Sequence, residues 1–307
     1  MRVIDAEAVA ALGWPAAIDA IRAAAVSDAG TAVPPRTVVD VRAGQLLLMP
    51  AADDRHAGVK VVSIAPDNPA HGRPRVQGAY LLFDATTLEI AAVLDGVALT
   101  TLRTGAVSAL AVDRLAQPGE AQLVVFGCGP QARGHIAALS QVRPIRRVGI
   151  VSRKPGPAEA LARCCAADGL RAAVGRPADV AAADIVVCAT TARTPLFDST
   201  ELPAHAVVVA IGSHEPDARE VDSALVERAT VVVESRAAAL REAGDIVLAI
   251  ADGVPSEQAI DGDLAELVGG HLAVRTDRPR LWKSVGEAWE DLAVAAAVFE
   301  SAPGATR

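Results

Sequence analysis

The clearest chemical signal is a glycine-rich turn between an apolar strand and a helix. The chain reads Phe-Gly-Cys-Gly-Pro-Gln-Ala over residues 126–132, directly after the apolar run 122–126. In this G-x-G-x-x-A pattern, Gly127 permits a tight turn and Gly129 lets a pyrophosphate approach the backbone. The N-terminus of the following helix offers N–H groups to the phosphates. The pattern predicts a dinucleotide-binding site, and its strand–turn–helix context disfavours an ordinary glycine-rich turn.

The end of the next strand bears on which dinucleotide is bound. An enzyme that uses NAD usually carries an Asp or Glu there to bind the ribose 2′-hydroxyl. This chain instead reads Val151-Ser152-Arg153-Lys154, with no carboxylate. A hydroxyl and two cations suit a 2′-phosphate, because a guanidinium can hold it through paired charge-assisted bonds. We therefore predict NADPH, with NADH as the less favoured cofactor and a solvated basic turn as the alternative interpretation.

The pattern of predicted strands and helices changes near Pro118-Gly119. The first third predicts a helix from Pro15, strands at 37–41, 45–49, 58–63, 76–84 and 89–94, and a helix from Thr100 or Thr101 to about Ala116. Strands at 122–126, 147–151, 184–189, 207–211 and 231–234 then alternate with helices, which is typical of a parallel doubly wound sheet. An apolar helix is predicted over about 286–301. The sequence predicts an α/β protein in which a Rossmann domain, residues 117–284, is inserted into an α+β domain of residues 1–116 plus 285–307.

The composition of the chain disfavours some classes of binding partner. A length of 307 residues suggests two domains, while a net charge of −8 and 3% aromatic residues argue against nucleic acid and anionic membranes as partners. No run near the start suits a signal peptide, and none approaches a membrane span. The four cysteines, Cys128, Cys164, Cys165 and Cys188, have neither zinc spacing nor the density of a disulfide framework. We expect reduced cysteines in a cytoplasmic protein without a metal site.

A series of short motifs supports a family assignment. They are Pro35-Arg36, Leu48–Pro50, Gly58–Val62, Leu102–Ala109, Gly127–Ala132, Ala189–Thr191, Ile211–Ser213 and Lys283–Gly286. In this order the chain resembles the ornithine cyclodeaminase/mu-crystallin family across nearly its full length. That family contains ornithine cyclodeaminases, some alanine dehydrogenases, ketimine reductases of cyclic imino acids, and mu-crystallin. The resemblance implies a homodimer, in which residues 1–116 plus 285–307 form the substrate and dimerisation domain.

The resemblance also implies roles for substrate-side residues. Arg36 and Lys60 match the pair that holds the substrate carboxylate in the family. This role is physically reasonable, since two cations in a partly dry cleft can outweigh the cost of desolvating a carboxylate. Without the motif, each would be read as a surface cation. Glu242 is a further substrate-site candidate, with a solvated helix end as the alternative.

The cofactor-side candidates follow from the turn and from the motifs. Arg103 and Thr104 are expected in the first turn of their helix, where a cation does not complement the dipole and a cofactor phosphate is the implied anion. Thr190 and Thr191 follow a strand's carboxyl end, where ligands bind in such sheets, although a helix N-cap is the alternative. Gly286 would leave room for a nicotinamide ring. The predicted set is Arg103, Thr104, Gly127, Gly129, Pro130, Gln131, Ser152, Arg153, Lys154, Thr190, Thr191, Ile211, Gly212, Ser213, Ser284, Val285 and Gly286.

Two positions depart from the cyclodeaminases of the family. Leu47 stands where they carry an acidic residue for the distal amine of ornithine, and a leucine would leave that ammonium uncompensated. His214 stands where they carry a catalytic aspartate. A histidine can relay a proton near neutral pH, or it can be a packing residue beside the cofactor. Nothing in the sequence explains Arg75, where relatives often carry Thr or Ser.

These features together favour NADPH-dependent reduction of cyclic 2-imino acids, such as Δ1-pyrroline-2-carboxylate and Δ1-piperideine-2-carboxylate, to L-proline and L-pipecolate. Arg36 and Lys60 would orient the C=N carbon over nicotinamide C4. Lys60, His214 or a bound water would then manage the imine proton. The alternatives are an alanine or N-alkyl amino-acid dehydrogenase, an ornithine cyclodeaminase, or a mu-crystallin-like protein that binds NADPH and a small ligand without turnover.

Overall fold

The computed structural model describes residues 1–27 and 33–302. The chain divides into two compact units, one made of Met1–Val107 with the segment that begins at Glu287, and one made of Ser108–Gly286. The predicted insertion spanned residues 117–284, so the two descriptions differ by nine residues at one boundary and by two at the other. No helix within the described residues is both long enough and apolar enough to cross a membrane.

The first unit is built on a six-stranded sheet. Its strands are β1 (Arg2–Ile4), β2 (Thr37–Val41), β3 (Gly44–Ala52), β4 (His56–Ile64), β5 (Val76–Asp84) and β6 (Ile90–Asp95), and its helices begin with α1 (Ala6–Ala10), α2 (Trp14–Ala25) and α3 (Gly96–Leu115). The strand order is β1-β6-β5-β4-β3-β2. All neighbours are antiparallel except the pair β1–β6. The boundary between the two units falls inside α3.

The start of α3 differs from the prediction. The carboxylate of Asp95 accepts hydrogen bonds from two backbone N–H groups just after Gly96, at 3.0 and 2.8 Å, and so caps the helix. The hydroxyls of Thr100 and Thr101 instead donate to the carbonyls four residues earlier. The prediction that this helix begins at Thr100 or Thr101 was therefore wrong. Because α3 begins at Gly96, Arg103 lies about two turns inside the helix rather than in its first turn.

The second unit contains an eight-stranded parallel sheet. Its strands are β7 (Ala121–Phe126), β8 (Ile145–Val151), β9 (Ala172–Val174), β10 (Ile185–Cys188), β11 (Val207–Ala210), β12 (Thr230–Val233), β13 (Gly262–Asp263) and β14 (Arg280–Lys283). The order is β13-β12-β14-β11-β10-β7-β8-β9, and every pair is parallel. Its helices after α3 are α4 (Pro130–Val142), α5 (Pro155–Ala167), α6 (Ser223–Arg228), α7 (Arg236–Glu242), α8 (Gly244–Ala251) and α9 (Leu264–Val268). The predicted fold class, α/β with a Rossmann sheet, is confirmed.

The strand order gives the second unit a topological switch point. The chain runs from β7 to β8 and β9 on one side, and β10 then pairs with the opposite edge of β7. Ligands in such sheets bind beyond the carboxyl ends of the strands at this position. The glycine-rich turn follows β7, and the Thr190 segment follows β10, so both predicted cofactor motifs lie at the switch point.

The last helix, α10 (Ala288–Ser301), belongs to the first unit. It packs against α2 and against strands β3, β4 and β5. On the sheet, Met49 of β3 and Tyr80 of β5 lie directly opposite Lys60 of β4, so these side chains share one face. All three are buried. The first unit therefore encloses a lysine on a buried, mostly apolar sheet face that also carries His56.

Candidate functional site

The turn after β7 has the geometry that its sequence predicts. Gly127 has a φ of +114°, and a Cβ there would come within 2.4 Å of the carbonyl oxygen of Ala189. Gly129 is the N-cap of α4, and nothing lies within 4 Å of the position that its Cβ would take. Ala132 is fully buried against the sheet. Gly129 and Pro130 are exposed, so the helix N-terminus is accessible, while Gln131 is half-buried beside them.

The segment after β8 carries the residues predicted to select the cofactor. The hydroxyl of Ser152 accepts a hydrogen bond from the backbone N–H of Lys154 at 3.3 Å and lies 3.5 Å from the Sγ of Cys128 in the glycine-rich turn. Arg153 and Lys154 are exposed. Within residues 1–27 and 33–302, neither of these two cations forms an ion pair with a carboxylate. They are thus able to bind an anion beside Ser152.

A buried carboxylate joins the segments after β10 and β11. Oε1 of Glu220 accepts hydrogen bonds from the backbone N–H and the hydroxyl of Thr190, at 2.8 and 2.6 Å. Its Oε2 accepts the N–H of Gly212 at 2.7 Å. Burial raises the pKa of Glu220 above its ordinary value, against the opposing effects of Lys283 and the Thr190 hydrogen bonds. Glu220 therefore fixes two predicted cofactor segments to each other, whereas the next residue, Thr191, is exposed.

Buried hydrogen bonds of Ser213 hold the loop of residues 211–214 in place. Ser213 is buried, and its hydroxyl donates to backbone carbonyls of its own loop, at 3.2 Å to Glu215 and 2.5 Å to Ala218. Its carbonyl accepts a hydrogen bond from Nζ of Lys283 at 2.6 Å. The side chain of Ser213 is thus engaged within the protein, while Ile211 and His214 remain partly exposed.

A second buried carboxylate shapes the segment after β14. The carboxylate of Glu234 accepts hydrogen bonds from the Ser284 hydroxyl and from the N–H groups of Val285 and Gly286, the latter two at 2.9 and 2.7 Å. Gly286 has a φ of +84°. Glu234 directly follows β12, the neighbour of β14 in the sheet. One carboxylate therefore sets the conformation of the whole Ser284–Gly286 segment.

Glu242 lies in the second unit, at the end of α7. Its Oε1 accepts hydrogen bonds from Nε and Nη2 of Arg241 at 2.8 and 2.5 Å. Its side chain is only 12% exposed, in contrast to the solvated helix end that was the alternative prediction.

The first unit brings Lys60 and Arg103 together through two acidic residues of α10. Nζ of Lys60 lies 2.7 Å from Oδ2 of Asp291, whose Oδ1 is 3.2 Å from Nε of Arg103. Nη1 of Arg103 is 2.5 Å from Oε2 of Glu290. All four side chains are buried. Two cations and two carboxylates, contributed by β4, α3 and α10, thus form one buried network.

The electrostatics of Lys60 follow from this environment. Its pKa is lowered to about 8, first by burial and then by the neighbouring charge of Arg103, while Asp291 opposes the shift. The positive charge of Arg36 also lowers the pKa of Lys60, although Arg36 itself is half-buried just before β2. At neutral pH the ammonium is therefore mostly charged.

The structure corrects the argument made for Arg103 and Thr104. Because Arg103 is not in the first turn of α3, a helix dipole does not require a phosphate beside it, and Glu290 and Asp291 supply the nearby anions. The hydroxyl of Thr104 donates to the carbonyl of Thr100 at 2.7 Å, within the same helix. The physical reason given for placing these two residues at the cofactor was wrong.

Sequence reasoning missed the acidic residues that organise both units. Glu290 and Asp291 stand in the first turn of α10, where acidic residues are common, although the apolar run that follows them was a usable sign of burial. Glu234 comes directly after an apolar strand, a position typical of ligand sites in parallel sheets. Glu220 and Asp245 carry no local signal, because their partners lie far away in the sequence.

Comparisons with known proteins agree with this architecture. The family model described as "Ornithine cyclodeaminase/mu-crystallin family" matches residues 7–306. The chain is 35% identical to a Delta(1)-pyrroline-2-carboxylate reductase of Bacillus thuringiensis over 83% of its length and 81% of the relative's. It is 34% identical to the ketimine reductase mu-crystallin of Rattus norvegicus, over 89% and 86% of the two chains.

Among solved structures, Thermococcus litoralis Delta(1)-pyrroline-2-carboxylate reductase, in complex with NADH and L-proline, superposes with a TM-score of 0.92 and 31% identity. The match covers 98% of this chain and 97% of that one. The resemblance inferred from the motifs is confirmed, and the chain belongs to the ornithine cyclodeaminase/mu-crystallin family.

Proposed function

We propose that the protein is an NADPH-dependent reductase of cyclic 2-imino acids, with Δ1-pyrroline-2-carboxylate and Δ1-piperideine-2-carboxylate as substrates and L-proline and L-pipecolate as products. The observation that carries this proposal is the similarity, over 98% of the chain, to a reductase of this class that holds NADH and L-proline. The buried ammonium of Lys60 supports it, since such a group is suited to a small carboxylate.

The second unit fits a nicotinamide dinucleotide. Gly129 leaves open the space that a Cβ would fill at an exposed helix N-terminus, as a pyrophosphate requires. Glu220 and Glu234 hold the Thr190, Gly212 and Ser284 segments at the carboxyl edge of the sheet. When bound, the reduced nicotinamide supplies a hydride for the carbon of the C=N bond.

The chain's own groups bind the substrate and manage its proton. Lys60 and Arg36 hold the carboxylate and orient the imine, so that much of the rate enhancement comes from positioning. The imine nitrogen gains its proton from Lys60, His214 or a bound water. Leu47 is buried on β3, on the same sheet face as Met49 and Lys60. This aliphatic surface favours a ring without a distal ammonium and argues against ornithine as substrate.

NADPH is proposed as the physiological reductant. Arg153 and Lys154 are exposed next to Ser152, and the segment offers no carboxylate to a ribose 2′-hydroxyl. Two cations are the groups that a 2′-phosphate requires.

A homodimer is also proposed, and β2 supports it. This strand forms one edge of the first unit's sheet and is exposed at all five residues, including Val38, Val39 and Val41. An exposed apolar edge strand is a surface that a second copy can cover. Light scattering on the purified protein tests it. Four free cysteines among the described residues support the proposal of a reducing, cytoplasmic compartment.

The experiment that tests the proposed reaction is NADPH oxidation against a panel of substrates. The panel contains both cyclic imines, pyruvate with ammonia, and pyruvate with methylamine. Ornithine with catalytic NAD is assayed separately by the release of ammonia, because cyclodeamination consumes no net NADPH. We expect turnover with the cyclic imines and none with ornithine. Faster turnover with pyruvate and an amine would instead identify an open-chain amino-acid dehydrogenase. Binding of NADPH without turnover of any substrate would identify a ligand-binding protein.

A further inference from the structure

Asp291 occupies a special place in the buried network of the first unit. It is fully buried on α10, and its two carboxylate oxygens contact different cations, Lys60 at 2.7 Å and Arg103 at 3.2 Å. Glu290, by comparison, contacts Arg103 at 2.5 Å. Asp291 is thus the group through which the position of Lys60 depends on α10.

The ammonium of Lys60 has three N–H donors. Within residues 1–27 and 33–302, Asp291 is its ion-pair partner, and this contact uses one donor. The side chain is 2% exposed, so the remaining donors have little access to solvent. A buried donor without an acceptor is costly, and a ligand oxygen would remove that cost.

From this geometry we propose that Asp291 is a positioning residue, which fixes the Lys60 ammonium in its charged form and aims its remaining donors at the carboxylate of the substrate. The inference rests on the proposed function for the identity of the substrate. Its electrostatic part, the dependence of Lys60 on Asp291, can be tested without any turnover.

Several charged or titratable groups surround Lys60 and must be considered together. Asp291 and Glu290 come from α10, Arg103 from α3, Tyr80 from β5, and Arg36 from the segment before β2. The cations favour the neutral amine, while Asp291 favours the ammonium. The pKa of Tyr80 is raised well above its ordinary value by burial, so its hydroxyl stays neutral in this range. Asp291 is therefore the group whose removal should discharge Lys60.

Removing the Asp291 charge should lower the pKa of Lys60. Loss of the Asp291 charge leaves burial and the neighbouring cations unopposed, so the pKa of Lys60 should fall below its present value of about 8. Lys60 would then be largely neutral at neutral pH. A neutral amine cannot form an ion pair with a carboxylate and is a weaker N–H donor than an ammonium, so affinity for a monocarboxylate should fall on the order of tenfold or more.

The chain has three lysines, Lys60, Lys154 and Lys283, which makes a direct measurement practical. Protein labelled with ¹³C-lysine is titrated by NMR, and the Lys60 signal is assigned from its loss in Lys60→Met. The wild type should show a midpoint near pH 8, and Asp291→Asn a lower one. Affinity for L-proline should fall in the variant, while the dissociation constant of NADPH stays the same. Glu290→Gln is the matched control and should move the midpoint less.

A second variant covers the case in which Asp291→Asn does not fold. Asp291→Glu keeps the charge but displaces the carboxylate, so the Lys60 midpoint should stay near the wild-type value while affinity for L-proline falls. An unchanged midpoint in Asp291→Asn, or unchanged L-proline affinity in Asp291→Glu, overturns the inference. If the NMR shift is found but no cyclic imine is reduced, the proposed function fails while the link between Asp291 and Lys60 stands.

Discussion

Nζ of Lys283 lies 2.7 Å from Oδ2 of Asp245, and both side chains are fully buried in the second unit. The lysine also donates to the carbonyl of Ser213, and the other carboxylate oxygen of Asp245 accepts the backbone N–H groups of Glu220 and Val221. The pair therefore supports two elements of the candidate cofactor site, the Ser213 loop and the residue that holds Thr190. Because neither side chain reaches solvent, we infer that the pair has a structural role.

Breaking this pair should destabilise the protein strongly. We expect Lys283→Met to lower the free energy of unfolding by about 3–5 kcal/mol, since it leaves the Asp245 carboxylate buried without its cation. Lys154→Met is the matched control, because Lys154 is exposed and should change stability by no more than about 0.5 kcal/mol. Denaturant unfolding of both variants without cofactor provides the measurement. Equal midpoints would show that the ion pair contributes little.

The Lys283–Asp245 pair also explains why one central strand escaped prediction. Residues 280–283 begin and end with a basic residue, a pattern that suggests a solvated segment, yet the strand is buried at all four positions. Nε and Nη1 of Arg280 donate to backbone carbonyls, at 3.0 Å to Leu115 and 3.2 Å to Ala204, and Lys283 pairs with Asp245. Apolar runs such as Val207–Ala210 were recognisable because a continuous run of apolar residues by itself indicates a buried strand. Charged residues compensated by distant partners carry no such local signal.

The same distinction separates the parts of the site that sequence could predict. Gly127 was identifiable because its function depends on its own conformation and on the residues next to it. The surroundings of Arg103 were not, since Glu290 lies 187 residues away in the chain. The start of the helix around Arg103 was also predicted too late, at Thr100 or Thr101, because Asp95 caps the helix about one turn earlier.

The two glycines of the glycine-rich turn after β7 should respond differently to alanine. In Gly127→Ala the new Cβ would meet a backbone carbonyl at 2.4 Å on a φ of +114°, so the apoprotein should lose stability. In Gly129→Ala nothing lies within 4 Å of the new Cβ, so the apoprotein should stay nearly as stable. Its NADPH affinity should nevertheless fall on the order of tenfold or more, because the methyl group occupies the space of the pyrophosphate. Thermal unfolding and NADPH titration of both variants separate the two effects. Normal NADPH binding by Gly129→Ala would place the phosphates elsewhere.

The basic segment after β8 should determine the choice between NADPH and NADH. We expect Arg153→Ala combined with Lys154→Ala to weaken NADPH binding by about 1.5–3 kcal/mol, the value of a hydrogen bond to a charged group, and to leave NADH binding almost unchanged. Arg147→Ala is the control, since Arg147 is also exposed but lies near the opposite end of β8. Fluorescence titration with both cofactors gives the ratio of dissociation constants. A wild-type protein that binds NADH more tightly would contradict the cofactor assignment.

Lys60 is the side chain on which the proposed reaction depends most. We expect Lys60→Met to abolish reduction of cyclic imines while NADPH binding remains nearly intact. Methionine keeps a similar length and apolar volume, and Arg103 remains 3.2 Å from Asp291, so the carboxylate keeps one cation.

Loss of one charge-assisted bond should weaken substrate binding by roughly 1.5–3 kcal/mol, and misorientation of the imine could reduce the rate by about two further orders of magnitude. Steady-state kinetics are measured beside NADPH titration of the same variant, with Lys60→Arg as a control that keeps the charge. A fall in kcat/KM of less than about tenfold corresponds to a loss of transition-state stabilisation below roughly 1.4 kcal/mol. Lys60 would then be a structural cation of the buried network, and the substrate carboxylate would have to be held by other groups.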